Sequence, residues 1–184
     1  MKVRTPATIE DLYQIKGKAE LVDGEIVLMT PTGDSPARAS YRIGLHLGRY
    51  EEQTGFGRTY PDNTGFVTRF PRTRTFSPDI AFYTGEIKEG INMRFLEGAP
   101  IFAVEIRSES DYGPAAEKRL AAKRADYFAS GTQVMWDVDL QSEEVVRVYR
   151  AGRPDEPDIY RKGDMAEAEP ALPGWKMPVE DLFR

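Results

Sequence analysis

Two short apolar runs, 77–83 and 101–107, each hold a carboxylate that hydrophobic patterning does not explain: Asp79 and Glu105. Nearly continuous apolar strands of this kind belong in a sheet covered on both faces. A carboxylate inside one is costly unless it is paired or binds a cation. The chain must therefore supply partners for both. A third segment, 123–127, brings Lys123 on a predicted helix. Two carboxylates on neighbouring strands with a lysine close by make a metal-dependent hydrolytic site the first expectation.

The surrounding sequence predicts a mixed α/β domain spanning 1–184. Thr8 is placed to cap a helix over 8–15, with Glu10 and Asp11 in its first turn. Asp23-Gly24 between apolar runs predicts a hairpin over 20–29. After a loop at 31–36, Tyr41, Ile43, Leu45, Leu47 and Tyr50 give an amphipathic helix over 38–52 that closes near Gly55. Two strands are expected within 56–70, turned around Pro61-Asp62-Asn63. The polar segment 84–98 reads as a mobile loop with one turn of helix. Gly113-Pro114 opens the longest helix and Gly131 closes it. Along it Ala116, Leu120, Lys123 and Tyr127 form one stripe facing the sheet, whereas Lys118 points away. Strands at 133–138 and 145–149 follow, then a turn at 151–157, a polar segment at 165–170 and a tail ending at 179–183.

Bulk properties narrow the functions. A length of 184 residues suits one domain with a sizeable core. The absence of cysteine excludes disulfides and thiolate metal sites and fits a reducing cytoplasm, the expected location. Residues 1–6 lead into no apolar core, so no signal peptide is expected, and no apolar run approaches membrane-spanning length. A net charge of −5 and a pI near 5.1 oppose a broad nucleic-acid-binding surface. They leave room for a local basic strip or bound cations that attract phosphates. One histidine, His46, cannot build a histidine metal cluster and reads as structural or surface. No Ser-His-Asp arrangement and no Gly-rich phosphate loop is evident.

Each candidate has a bland alternative. Asp79 at a strand entry serves equally well as a loop cap, and Glu105 can pair with Arg107 to plug a strand end. The functional reading is that Asp79 and Glu105 together hold a hard divalent cation, Mg²⁺ or Mn²⁺, through oxygen ligands. Such an ion polarises a phosphate and lowers the pKa of a bound water. Lys123 either stabilises charge on phosphorus or snorkels at the helix edge. Arg69, Arg72 and Arg74 either meet a phosphate backbone or decorate a solvated edge strand.

Segments 20–25, 77–81, 104–111 and 123–139, in that order, resemble the Uma-type restriction endonuclease family of the PD-(D/E)XK nuclease superfamily. The resemblance runs from about 8 to 183 and includes Leu172-Pro173-Gly174-Trp175. It implies a restriction-endonuclease-like α/β core, Mg²⁺-dependent hydrolysis of DNA phosphodiester bonds and a homodimer. Carried over by position, Asp79 and Glu105 become the metal carboxylates, and Glu20 an acidic residue approaching the metal. Lys123 becomes the active-site lysine, displaced from its usual strand slot onto the following helix. Arg107 fills that usual slot two residues after Glu105; permanently charged, it can contact phosphate but not act as a base. Family members often carry a histidine in the loop before the second helix, and 31–38 has none. A DNA endonuclease is therefore the expected activity. The alternatives are a non-catalytic binding or assembly module that keeps the fold, and an RNA-directed or other phosphoesterase using the same site.

Overall fold

The computed structural model describes residues 5–69 and 71–184. Residues 1–4, the start of the segment scanned for a signal peptide, and Phe70, at the end of the expected strand pair, lie outside the described residues.

Thr8 caps α1 (Ile9–Tyr13): its hydroxyl accepts from the Asp11 N–H at 3.2 Å, and the Asp11 carboxylate accepts from the Thr8 N–H at 2.8 Å. This reciprocal pair satisfies two donors that the helix itself cannot. Strands β1 (Ala19–Val22) and β2 (Glu25–Leu28) form the expected hairpin, with Asp23 (φ 52°) and Gly24 (φ 75°) in the left-handed backbone that Asp-Gly tolerates. Helix α2 (Asp34–Thr54) begins earlier than its apolar pattern, because Pro36 falls in the first turn, where no N–H is needed. It ends at Gly55, whose φ of 63° closes it.

Strands β3 (Arg58–Pro61) and β4 (Phe66–Thr68) are the expected pair, yet the turn between them does not make one hairpin. β4 pairs instead with β5 (Arg74–Phe76), while β3 pairs with β6 (Ile80–Tyr83). Segment 84–98 holds no helix; its regular part is β7 (Leu96–Glu97), parallel to β4. Then come β8 (Phe102–Ile106), α3 (Pro114–Ala129), β9 (Val134–Val138) and β10 (Val146–Arg150). The expected turn at 151–157 is largely strand β11 (Arg153–Tyr160). Pro154 and Pro157 hide it in the sequence, and its place at the sheet edge makes them tolerable. β12 (Met165–Glu167), β13 (Lys176–Pro178) and a short 3₁₀ turn (Val179–Phe183) complete the chain.

The central sheet runs β11-β10-β9-β8-β6-β3, and only β8 and β9 are parallel neighbours, joined through α3. Period-two alternation divides its side chains between two cores. Ile80, Phe82, Phe102, Val104, Trp136 and Val138 meet Ala39, Ile43 and Leu47 of α2 and the carboxyl-terminal segment. Trp136 packs 5.3 Å from Trp175, which places the 172–175 segment in this core. On the opposite face Ala81, Tyr83, Ala103 and Met135 meet Tyr127 of α3. Continuing the same alternation puts Asp79, Glu105 and Asp137 on the α3 side, at the end where the apolar runs stop.

Candidate active site

Sheet register brings the two carboxylates together. Asp79 precedes β6, its N–H donates to the Val104 carbonyl at 3.1 Å, and its Oδ2 accepts from the Ile106 N–H at 2.7 Å. Glu105 lies between those two contacts. Lys123 Nζ reaches in from α3 to 2.8 and 2.9 Å from the two Glu105 oxygens. The Tyr127 hydroxyl, one helical turn on, donates to Glu105 Oε1 at 2.6 Å. Glu20 arrives from the hairpin, which docks on β5 through the Leu21 N–H donating to Thr75 Oγ1 at 2.7 Å. Glu20 Oε1 accepts from the Ser77 N–H at 2.9 Å and lies 3.1 Å from Lys123 Nζ. Lys18 pairs with Asp62 and stands 3.9 Å from Asp79 Oδ1. Lys18, Glu20, Asp79, Glu105 and Lys123 line a cleft of about 610 Å³ between the hairpin and α3.

Burial sets the protonation states. It raises the Asp79 carboxyl above its ordinary value, with the Ile106 N–H and Lys18 opposing the rise. It raises Glu105 to about 7; Lys123 opposes that shift, and the Asp79 and Glu20 charges add to it. Burial alone would lower the Lys123 ammonium, but Glu105 and Glu20 outweigh it and hold the group charged. Tyr127 is pushed far above its usual range, chiefly by burial, so its hydroxyl stays a donor.

The donor set fits a divalent cation. Asp62, Asp79, Glu105 and Glu20 face Lys18 and Lys123, leaving two negative charges uncompensated if all four are ionised. Among the described residues no three His, Asp or Glu side chains are grouped so as to hold a metal ion by themselves. Mg²⁺ needs no such group, because it keeps waters and takes one or two carboxylates plus substrate oxygens. The burial of Asp79 predicts a stability effect. The folded Asp79 carboxyl titrates above its unfolded value, so its contribution to stability is full at low pH and lost as pH rises through the folded value. Asp79→Asn, melted in chelator at neutral pH, is expected to gain about 1 kcal/mol, or ~2–4 °C. A lower melting temperature than wild type would contradict this.

Arg72, Arg74 and Arg107 line the same cleft, Arg69 does not, and all four pair with protein carboxylates. Arg69 is exposed and pairs with Glu97 at 3.2 Å. Arg72 and Arg74 both approach Asp126, and Arg74 is buried. Arg107 does not pair with Glu105. It grips Asp137 with two bonds, Nε to Oδ1 at 2.8 Å and Nη2 to Oδ2 at 2.7 Å, and also binds Glu117. Its guanidinium is thereby committed to protein carboxylates. His46 sits 2.8 Å from Asp181 of the terminal 3₁₀ turn, apart from the cleft. Sequence reasoning missed Lys18, Asp126, Asp137 and the Tyr127 hydroxyl. Tyr127 was readable as the residue four after Lys123, and Asp137 as another carboxylate inside an apolar run.

A mixed sheet with carboxylates at the mouth of its parallel pair and a helix-borne lysine over them defines a nuclease-like α/β fold. The chain belongs to the Uma2 family, described as "Putative restriction endonuclease", whose model matches residues 7–180. A crystal structure of "a putative nuclease belonging to DUF820" from Anabaena variabilis superposes with a TM-score of 0.77 at 16% identity, covering 97% of this chain and 98% of that one. No curated protein matches the sequence. Among the described residues no helix is long and apolar enough to cross a membrane.

Proposed function

We propose that this protein is a Mg²⁺-dependent endonuclease hydrolysing phosphodiester bonds of DNA, with Mn²⁺ able to substitute. The observation that carries the reading is the convergence of Asp79, Glu105 and Lys123 in one cleft of a nuclease-like fold. Asp79 Oδ1 and the Glu105 oxygens are the ligands offered to the ion. When bound, the ion polarises the scissile phosphate and lowers the pKa of an attacking water. Lys123 supplies positive charge beside the phosphorus as negative charge builds there. Glu20 keeps that ammonium in place, and Tyr127 fixes the orientation of Glu105. The family resemblance and the need for two cuts in a duplex support a homodimer, which sedimentation reads directly. A cysteine-free chain suits the reducing cytoplasm, where such a substrate is met.

The test is cleavage of plasmid and short duplexes in Mg²⁺, Mn²⁺ and chelator, with RNA and a small phosphodiester alongside. Wild type is expected to cut DNA only with the ion. Asp79→Asn should lose at least about 10³-fold in rate and lose cation binding by calorimetry. Wild-type cleavage by Asp79→Asn would sink the assignment. A non-catalytic nuclease-fold module is the second reading, favoured by the internal pairing of Arg69, Arg72 and Arg107 and by the net charge of −5. Failure to bind Mg²⁺, with or without duplex, would establish it.

A further inference from the structure

Three residues beyond Lys123 on α3, Asp126 gathers two arginines on the wall of the same cleft. Its Oδ1 accepts from Arg72 Nη2 at 2.7 Å, and its Oδ2 lies 3.1 Å from Arg74 Nη1. Arg72 is half exposed, and its other terminal nitrogen stands 2.7 Å from Asp23 at the hairpin tip. Arg74, in β5, is 4% exposed, and among the described residues neither its Nε nor its Nη1 has a hydrogen-bond partner. The Asp126 oxygen is close enough to Nη1 for an ion pair but off the line of a hydrogen bond. The Phe76 ring, 5.0 Å from the Arg74 guanidinium carbon, covers part of that group. Buried guanidinium donors left without acceptors are uncommon and costly. Two guanidinium forks thus converge on one carboxylate, which leaves two Arg74 donors without acceptors. A phosphate, with more oxygens in a tetrahedral array, matches such a donor-rich site better.

We propose that Arg72 and Arg74 form a second phosphate subsite, for a backbone phosphate flanking the scissile one, in which Asp126 is an internal anion displaced by the incoming nucleic acid. The proposal rests on Asp79, Glu105 and Lys123 being the cutting centre. Lys123 and Asp126 are i,i+3 neighbours on α3 with Cβ atoms about 5–6 Å apart, so the two sites adjoin. The Asp126 side chain is 21% exposed and can turn toward solvent when replaced. In the free protein Asp23 and Asp126 cancel both arginine charges, so this wall attracts polyanions only where a phosphate takes the place of Asp126. The substrate class that follows is a polynucleotide with a flanking phosphate, in preference to an isolated phosphodiester.

Asp126→Asn removes the internal charge and keeps the shape. Two probes read the effect: inorganic phosphate, through its concentration-dependent rise in melting temperature, and a short DNA duplex, through anisotropy in chelator over a range of salt. Asp126→Asn is expected to bind both at least about tenfold more tightly than wild type, and its duplex salt dependence should steepen by about one unit of slope. Adding Arg74→Met should return both readings to near wild type. Arg72→Gln, which leaves the buried Arg74–Asp126 pair intact, should weaken duplex binding and flatten the slope by about one unit. Unchanged affinities in Asp126→Asn would overturn the proposal. A gain of equal size in the Arg74→Met/Asp126→Asn protein would overturn it too, because the effect would then be general charge removal. Tighter phosphate binding in a protein that cuts no substrate would support the subsite and reject the cutting centre, so the two readings fail separately.

Discussion

Lys123→Met is expected to bind Mg²⁺ or Mn²⁺ more tightly than the wild type and to cleave DNA at least about 10²-fold more slowly. The opposite signs follow from one contact. Lys123 Nζ stands within 2.9 Å of both Glu105 oxygens, so ammonium and metal ion compete for the same carboxylate. Methionine fills a similar volume without charge, which removes the competitor and also the cation that faces developing charge on phosphorus. Without metal the variant should be the weaker fold, because Glu105 and Glu20 lose their buried counter-charge. Breaking a buried pair from one side costs about 3–5 kcal/mol. That loss should deepen as pH rises, since Glu105, already raised to about 7, is protonated and tolerable on the acid side and charged on the basic side. Millimolar Mg²⁺ should then recover more stability in the variant than in wild type, as binding to the folded state alone requires. Melting curves in chelator and in graded Mg²⁺, with calorimetry, read all of this. Weaker cation binding in Lys123→Met would mean that Lys123 organises the carboxylates instead of occupying them.

The convergence of the cleft residues was more legible than the topology, for physical reasons. Asp79 and Glu105 stand out because each breaks an apolar pattern that only a paired or cation-bound carboxylate can afford to break. Lys123 was found by phase, since helical spacing puts it on the stripe of Tyr127, which is fully buried. Glu20 came only through the resemblance: its approach depends on the hairpin docking on β5, a tertiary event that no local pattern records. The burial of Arg74 was illegible for the same reason. Within Arg72-Thr73-Arg74-Thr75 it reads as a solvated strand, yet the contacts around β5 bury it. β11 was hidden by its own prolines, and β7 is too short to leave a periodic trace. Asp137 carried the same signal as Glu105, an acid in an apolar run, and with it the true partner of Arg107.

Arg107→Ala is expected to lose about 3–5 kcal/mol of stability, roughly 10–15 °C in melting temperature. Arg107 is 8% exposed and Asp137 3%, and among the described residues Arg107 is the one ion-pair partner within reach of that aspartate, held by two bonds. Alanine would leave Asp137 buried without its guanidinium partner, whereas the half-exposed Glu117 can turn to water. The pair also braces the site. The Arg107 N–H donates to the Val138 carbonyl at 2.9 Å, and Glu105 is in register with Asp137 across the parallel strands. The guanidinium thus ties the end of β8, just past Glu105, to β9 and to the first turn of α3. Arg107→Lys keeps the charge but not the planar fork, so an intermediate loss is expected. Arg107→Met with Asp137→Leu, which removes both charges, should recover most of it, because a buried ion pair replaced by apolar groups is often neutral. Duplex binding separates this bracing role from a phosphate contact. With its guanidinium held by two carboxylates, Arg107 should add nothing to the salt dependence, and the folded Arg107→Met/Asp137→Leu protein should keep the wild-type slope. A slope flatter by about one unit in that variant would return Arg107 to the DNA-binding surface.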